Sequence, residues 1–158
     1  MESNVYVGLG SNLQNPRANL ARARNAIPGE YPLLKQSSIL RTEPFEIATE
    51  KPFFNQVLEI NPRGSDPDQV LKQLLRIEQE LGRDRDRNGP DRIIDLDLLY
   101  YNQMILHSDQ LHVPHPEIHR RPFVLKSMVE LNPAFLHPEL EKTQVELLVN
   151  TLGKKSDN

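Results

Sequence analysis

Asp95 and Asp97 stand two residues apart in Ile93-Ile94-Asp95-Leu96-Asp97-Leu98-Leu99-Tyr100, a run whose apolar character predicts a strand over 93–100. On a strand both carboxylates leave the same face, roughly 7 Å apart at Cα, while Ile94, Leu96 and Leu98 take the other. Like charges so placed repel, and a hard cation with oxygen ligands would relieve them. Magnesium suits the pair, because it takes few protein carboxylates and completes its shell with substrate phosphates. The pattern is short, and a solvated strand face carrying two acids accounts for it equally well. Just upstream, Arg83, Arg85, Arg87 and Arg92 punctuate a charged loop over 83–92. Asp84, Asp86 and Asp91 interleave with them, as in an ordinary solvated charge run. Beside a D-x-D strand, however, such a loop offers cations for a polyphosphate and carboxylates for its magnesium, the two halves of a phosphoryl-transfer site.

Other segments carry weaker signals. Gly8-Leu9-Gly10-Ser11-Asn12-Leu13 has Leu13 where a dinucleotide fingerprint needs its third glycine, and no G-K-[ST] follows. Its glycines are read as permitting a tight strand-to-helix turn with close backbone packing. His115-Pro116-Glu117-Ile118-His119 has the wrong spacing for a zinc-protease helix, and its prolines oppose a helix. His115 is either a loop histidine packed by prolines or a phosphate donor. Phe45, Phe53, Phe54 and Phe123 read as core, but Phe53 and Phe123 lie beside Pro52 and Pro122 at loop edges, where two rings could sandwich an aromatic ligand.

These residues need a frame. Val5 to Leu9 predicts a buried strand, and the stripe Leu20, Ala23, Ala26, Ile27, opened by Pro16 and stopped by Pro28-Gly29, a helix. Strands are expected at 37–42 and 54–60. A second helix opens at Asp66-Pro67-Asp68 and carries Val70, Leu71, Leu74, Leu75 and Leu81 to Gly82. Glu78 falls on that stripe, where a carboxylate needs a partner or a task. The order βαββαβ favours an α+β, ferredoxin-like sandwich with helices on one face of a mostly antiparallel sheet. A C-terminal helical extension follows, with helices expected at 123–131 and 143–152. The 158 residues with a net charge of −3 predict one domain without the basic coat of a nucleic-acid or membrane-surface binder. The absence of cysteine excludes a zinc ribbon and a thiol nucleophile and suits a cytoplasmic location. The first residues carry no export signal, and no apolar run reaches the length of a membrane span. Arginine supplies 12 of the 19 basic residues, a bias toward two-point recognition of phosphate and carboxylate.

Taken together, six segments resemble one family, the 6-hydroxymethyl-7,8-dihydropterin pyrophosphokinases of folate biosynthesis. They are Gly8 to Leu13, Arg41-Thr42-Glu43-Pro44, Pro52-Phe53-Phe54-Asn55, Ile77-Glu78 with Gly82-Arg83-Asp84-Arg85, Arg92 to Asp97, and Val113-Pro114-His115-Pro116 through Arg121-Pro122-Phe123-Val124-Leu125. The resemblance implies transfer of diphosphate from ATP to the pterin hydroxymethyl oxygen, releasing AMP, by a single domain over 1–158. It implies two Mg2+ ions on Asp95 and Asp97, with Arg83 and Arg92 joining these acids in catalysis. ATP would be met by Glu78, Arg83, Arg85, Arg92, Leu98, His112, His115 and Arg121. Pterin would be met by Thr42, Glu43, Pro44, Phe45, Phe53, Asn55, Asp95 and Phe123. Its partners would be these small molecules alone, with the protein a monomer. The chain departs from the family's frequent Arg-Trp-Gly-Pro-Arg run: it has Arg87-Asn88-Gly89-Pro90-Asp91-Arg92, without the tryptophan and with an aspartate before the last arginine. Gln110 and His112 stand where some members place Arg and Thr. Two other classes remain to be separated from the enzyme: a non-catalytic nucleotide or pterin sensor, and a single-stranded RNA binder, which would require a basic sheet face with exposed aromatics.

Overall fold

Asn15 and Asp66 start the first two helices by the same device, a side-chain oxygen that accepts an otherwise unpaired amide of the first turn. Asn15 accepts from Ala18 N–H at the head of α1 (Pro16–Ala26), and Asp66 from Gln69 N–H at the head of α2 (Pro67–Glu80). Gln69 returns a bond to the Asp66 amide, completing a capping box. Proline occupies the first helical turn in both, where its missing N–H costs nothing.

The computed structural model describes residues 4–43, 50–83 and 91–156. Five strands form the main sheet: β1 (Val5–Ser11), β2 (Leu33–Gln36), β3 (Leu40–Thr42), β4 (Phe53–Ile60) and β5 (Asp95–Tyr101). Their order is β2-β4-β1-β5 with β3 also on β4, and every pairing is antiparallel. This is the ferredoxin-like order, with β2 and β3 together forming the second strand of the βαββαβ unit. Of the strand expected at 37–42 only Leu40–Thr42 is strand, and β2 lies ahead of the expected range. Between β2 and β3, Ser37 N–H donates to Val57 C=O, and the Ser37 hydroxyl takes the place of a backbone acceptor by accepting Val57 N–H at 2.9 Å. The strand expected to begin at Ile93 begins at Asp95, where pairing with β1 starts at Gly10↔Asp95. A small hairpin of β6 (Leu106–His107) and β7 (His112–Val113), unforeseen in the sequence, follows.

The two helices of the βαββαβ unit lie on one face of the sheet, as expected, and the C-terminal extension covers the other. Val5, Val7, Leu9, Leu58, Ile60, Leu96 and Leu98 meet α1 and α2 in one core. Tyr6, Val57, Leu99 and Tyr100 meet α3 (Pro122–Leu131) and α4 (Gln144–Ser156) in a second core on the opposite face. The strand period of two supplies residues to both faces, and the register shift of β5 between Tyr6 and Val7 lets Leu99 and Tyr100 join the same core. The expectation for Gly8 and Gly10 needs correction. Both sit inside β1 rather than in a turn, and only the close-packing half of that expectation holds. A Cβ at Gly8 would lie 3.4 Å from the Leu99 side chain, and one at Gly10 3.2 Å from Asn55 Oδ1.

Candidate active site

The second face of the sheet is covered only in part. α3 and α4 close over Tyr6 and Tyr100, whereas the opposite end, around Gly8 and Gly10, forms the floor of a cavity of about 270 Å³. β4 contributes Phe53, Asn55 and Val57, and β5 contributes Asp95, Asp97 and Leu99, alternate residues in each case. α3 supplies Phe123, Val124 and Ser127, spaced so that they share a helix face. Thr42 and Glu43 at the end of β3, Arg92, and the segment with His115, Ile118 and Arg121 close the rim. His115 is pinned beside β5 by its amide, which donates to Leu99 C=O at 2.9 Å.

The structure thus brings Thr42, Glu43, Phe53, Asn55, Arg92, Asp95, Asp97, His115, Arg121 and Phe123 to one cavity. Glu78 and Arg83 stand behind it. Leu98 lies on the far face, in the core under α1 and α2, and His112 is exposed on β7, its Nδ1 3.0 Å from His107 Nδ1. Neither side chain reaches the cavity. Pro44, Phe45 and Arg85 lie outside the described residues. The apolar wall of Val57, Leu99, Ile118 and Val124, and Ser127 beside it, had no place in the sequence reading. The wall was signalled by strand alternation, two residues beyond Asn55 and Asp97.

Glu78 has found its partners. Its Oε2 accepts Leu96 N–H at 2.7 Å, between the two aspartates, and Arg83 Nη1 at 2.6 Å. Burial lifts the Glu78 carboxyl above the usual range, and the Leu96 amide and Arg83 hold it back. Burial works against the Arg83 charge, but Asp95 and then Glu78 outweigh it. The two side chains are 8% and 4% exposed, Arg83 and Glu78 respectively, so this pair braces β5 from within. Arg83 Nη1 also donates to Asp95 Oδ1 at 2.7 Å, and Arg92 Nη1 lies 3.4 Å from Asp95 Oδ2. Asp95 is therefore held at both oxygens by arginines.

Asp97 differs. Burial first, and the Asp95 carboxylate second, push its carboxyl up to about 7, against the pull of Arg121 and Arg83. A carboxyl so raised marks a place short of positive charge, which a divalent cation would supply. Two carboxylates project from one strand face into a cavity, a donor set that would hold magnesium with substrate phosphates completing its shell. Burial, with the Arg121 cation next, lowers His115 to about 4, so its ring is neutral at physiological pH. On the β4 wall, Asn55 Nδ2 donates to Thr42 Oγ1 at 2.8 Å, which fixes the amide over Gly10. Arg121 Nε and Ser127 Oγ are buried without a hydrogen-bond partner among the described residues, leaving polar capacity at the cavity wall.

A model of the 7,8-dihydro-6-hydroxymethylpterin-pyrophosphokinase family, HPPK, matches residues 6–133. The chain belongs to this family. The 2-amino-4-hydroxy-6-hydroxymethyldihydropteridine pyrophosphokinase of Haemophilus influenzae is 35% identical over 129 residues, covering 80% of this chain and 80% of that protein. The folic acid synthesis protein FOL1 of Dictyostelium discoideum is 31% identical over 147 residues, 92% of this chain. This HPPK chain spans 22% of that relative's length. The crystal structure of wild-type Plasmodium falciparum HPPK-DHPS superposes with a TM-score of 0.79 at 14% identity, covering 99% of this chain and 46% of that one, and so shares its fold.

Proposed function

We propose that the chain is a magnesium-dependent pyrophosphokinase that transfers the β,γ-diphosphoryl group of ATP to the hydroxymethyl oxygen of 6-hydroxymethyl-7,8-dihydropterin, a step of folate biosynthesis. The pterin oxygen forms a bond to the β-phosphorus. The bond from that phosphorus to the α,β-bridging oxygen breaks, the hydroxyl proton is lost, and AMP leaves. The observation that carries this reading is the meeting of Asp95 and Asp97 with Phe53, Asn55 and Phe123 in one cavity, acids for a metal-bound triphosphate beside rings and an amide for a pterin. Magnesium ions on Asp95 and Asp97, two by family resemblance, would neutralise phosphate charge in the in-line transfer.

The chain's own residues do the rest. Arg92, at the rim, meets the triphosphate, with Arg121 and neutral His115 beside it. Arg83 serves mainly by holding Asp95 in place, because both its carboxylate contacts lie inside the fold. Phe53 and Phe123 sandwich the pterin, and the Asn55 amide, fixed by Thr42, reads its edge. The roles of Glu43, Pro44, Phe45, Arg85, Leu98 and His112 at the two substrates belong to the same proposal and rest on the family resemblance. A monomer acting on these small molecules alone belongs to the same proposal and rests on the family resemblance. No helix among the described residues is long and apolar enough to cross a membrane, and the absence of cysteine supports a cytoplasmic location. Steady-state analysis of nucleotide products tests the proposal. AMP that requires both pterin and Mg2+ is expected. Bound pterin and ATP without AMP would replace the enzyme by a sensor.

A further inference from the structure

The last paired residues of β1 and β5 are Gly10 and Asp95, yet the chain just before β5 is held to the chain just after β1. Asn12, only 4% exposed, makes the connection. Its amide donates to Arg92 C=O at 3.0 Å, and its Oδ1 accepts Arg92 N–H at 2.6 Å. Its Nδ2 donates to Asp91 Oδ1 at 3.0 Å. The Arg92 guanidinium then lies 3.4 Å from Asp95. Asp91 Oδ2 also faces Lys51 Nζ at 3.5 Å, a solvent-exposed contact of small energetic weight that leads toward Phe53.

We propose that Asn12 and Asp91 are positioning residues that fix Arg92 at the cavity rim and so set the angle from which its guanidinium meets the triphosphate. The inference rests on the function proposed above and adds two residues to it. The residue types suit the task. An amide side chain accepts with its oxygen and donates with its nitrogen, so asparagine at 12 joins the Arg92 N–H to the Asp91 carboxylate. Asp91 is the residue that separates Pro90 from Arg92, and the structure gives it an acceptor's role in holding that arginine.

The geometry permits a test by exchange. In Asn12→Asp two carboxylates face each other and the 91–92 segment loosens. MgATP KM should rise and kcat/KM fall about tenfold, while pterin affinity measured without nucleotide stays within about twofold. Asp91→Asn keeps an acceptor for Asn12 and should cost no more than about threefold. The double variant, Asn12→Asp with Asp91→Asn, reverses donor and acceptor. The carboxylate introduced at the first position receives the amide introduced at the second and still accepts Arg92 N–H, and the oxygen of that amide is left toward Lys51. This variant should return kcat/KM to within about threefold of the parent. A double variant no better than Asn12→Asp, or a parallel loss of pterin affinity, would overturn the assignment. If Asn12→Asp does not fold, the double variant decides alone: folded and active supports the pair, unfolded refutes it. Amide exchange at Arg92 separates this inference from the proposed reaction. Protection in the parent, its loss in Asn12→Asp and its return in the double variant would uphold the pair even if no AMP forms, whereas an unprotected parent amide would refute it.

Discussion

At the residue scale, Asp97 carries opposed demands. Its carboxyl is pushed up to about 7 by burial and by Asp95, so in the metal-free fold its ionised form is disfavoured. The ordinary value of 3.8 applies to the unfolded chain, which therefore releases the proton first as pH rises. The native state binds more protons between those values, and its stability falls as pH climbs from about 4 to about 7. Asp97→Asn removes the ionisable group. Without metal it should melt above the parent at pH 8, with the advantage shrinking toward pH 4, while kcat drops by at least about a hundredfold because a carboxylate proposed to hold magnesium is gone. Thermal melts across pH and product assays check both arms. A variant that melts no higher at pH 8, or keeps near-normal turnover, contradicts this account of Asp97. The spacing of Asp95 and Asp97 was legible because a strand face repeats every two residues, and Glu78 was legible because an acid on an apolar stripe needs a partner. Asn12 was not, since its partners Asp91 and Arg92 are about eighty positions away in the chain and nothing local signals them.

At the element scale, β1 works by what it lacks. Its two glycines face the cavity side of the sheet, and they differ in what a side chain would meet. At Gly8 an added methyl touches the Leu99 side chain at 3.4 Å, a distance a packed core accepts. At Gly10 it would crowd Asn55 Oδ1 at 3.2 Å, so the amide held by Thr42 must shift. Gly8→Ala should therefore leave pterin affinity within about twofold, whereas Gly10→Ala should weaken it about tenfold with the fold intact, since small misplacements of a substrate contact are costly. Calorimetry on the two variants checks the contrast, and equal affinities would remove Asn55 from the pterin site. The long elements were readable from periodicity: the stripe of α2 and the apolar runs of β1, β4 and β5 each name their own period. β2 was not readable, because Leu33–Gln36 is short and mostly exposed at the sheet edge. Nor was the second core, because α3 was expected without any indication of the face it covers. Tyr6 and Tyr100 show where it belongs once paired with Phe135 at 5.4 and 4.8 Å between ring centroids.

At the scale of the molecule, a chain of net charge −3 gathers its arginines where its acids are. Arg83 and Arg92 hold Asp95, and Arg121 stands across the cavity, so the proposed handling of anionic phosphate would need no basic exterior. This distribution disfavours an RNA-binding role, which would place cations on an open sheet face. The sheet is instead covered by α1 and α2 on one side and by α3 and α4 on the other, and among the described residues the end left open is the cavity described above. That architecture serves a reaction between two small molecules, and the central claim is that both terminal phosphorus atoms of ATP move together. Following the fate of ATP labelled at the β-phosphorus, in a reaction with 6-hydroxymethyl-7,8-dihydropterin and Mg2+, tests this most directly. The account predicts that the label appears on the pterin in step with AMP; label retained in ADP, or released as free diphosphate without pterin, would contradict it.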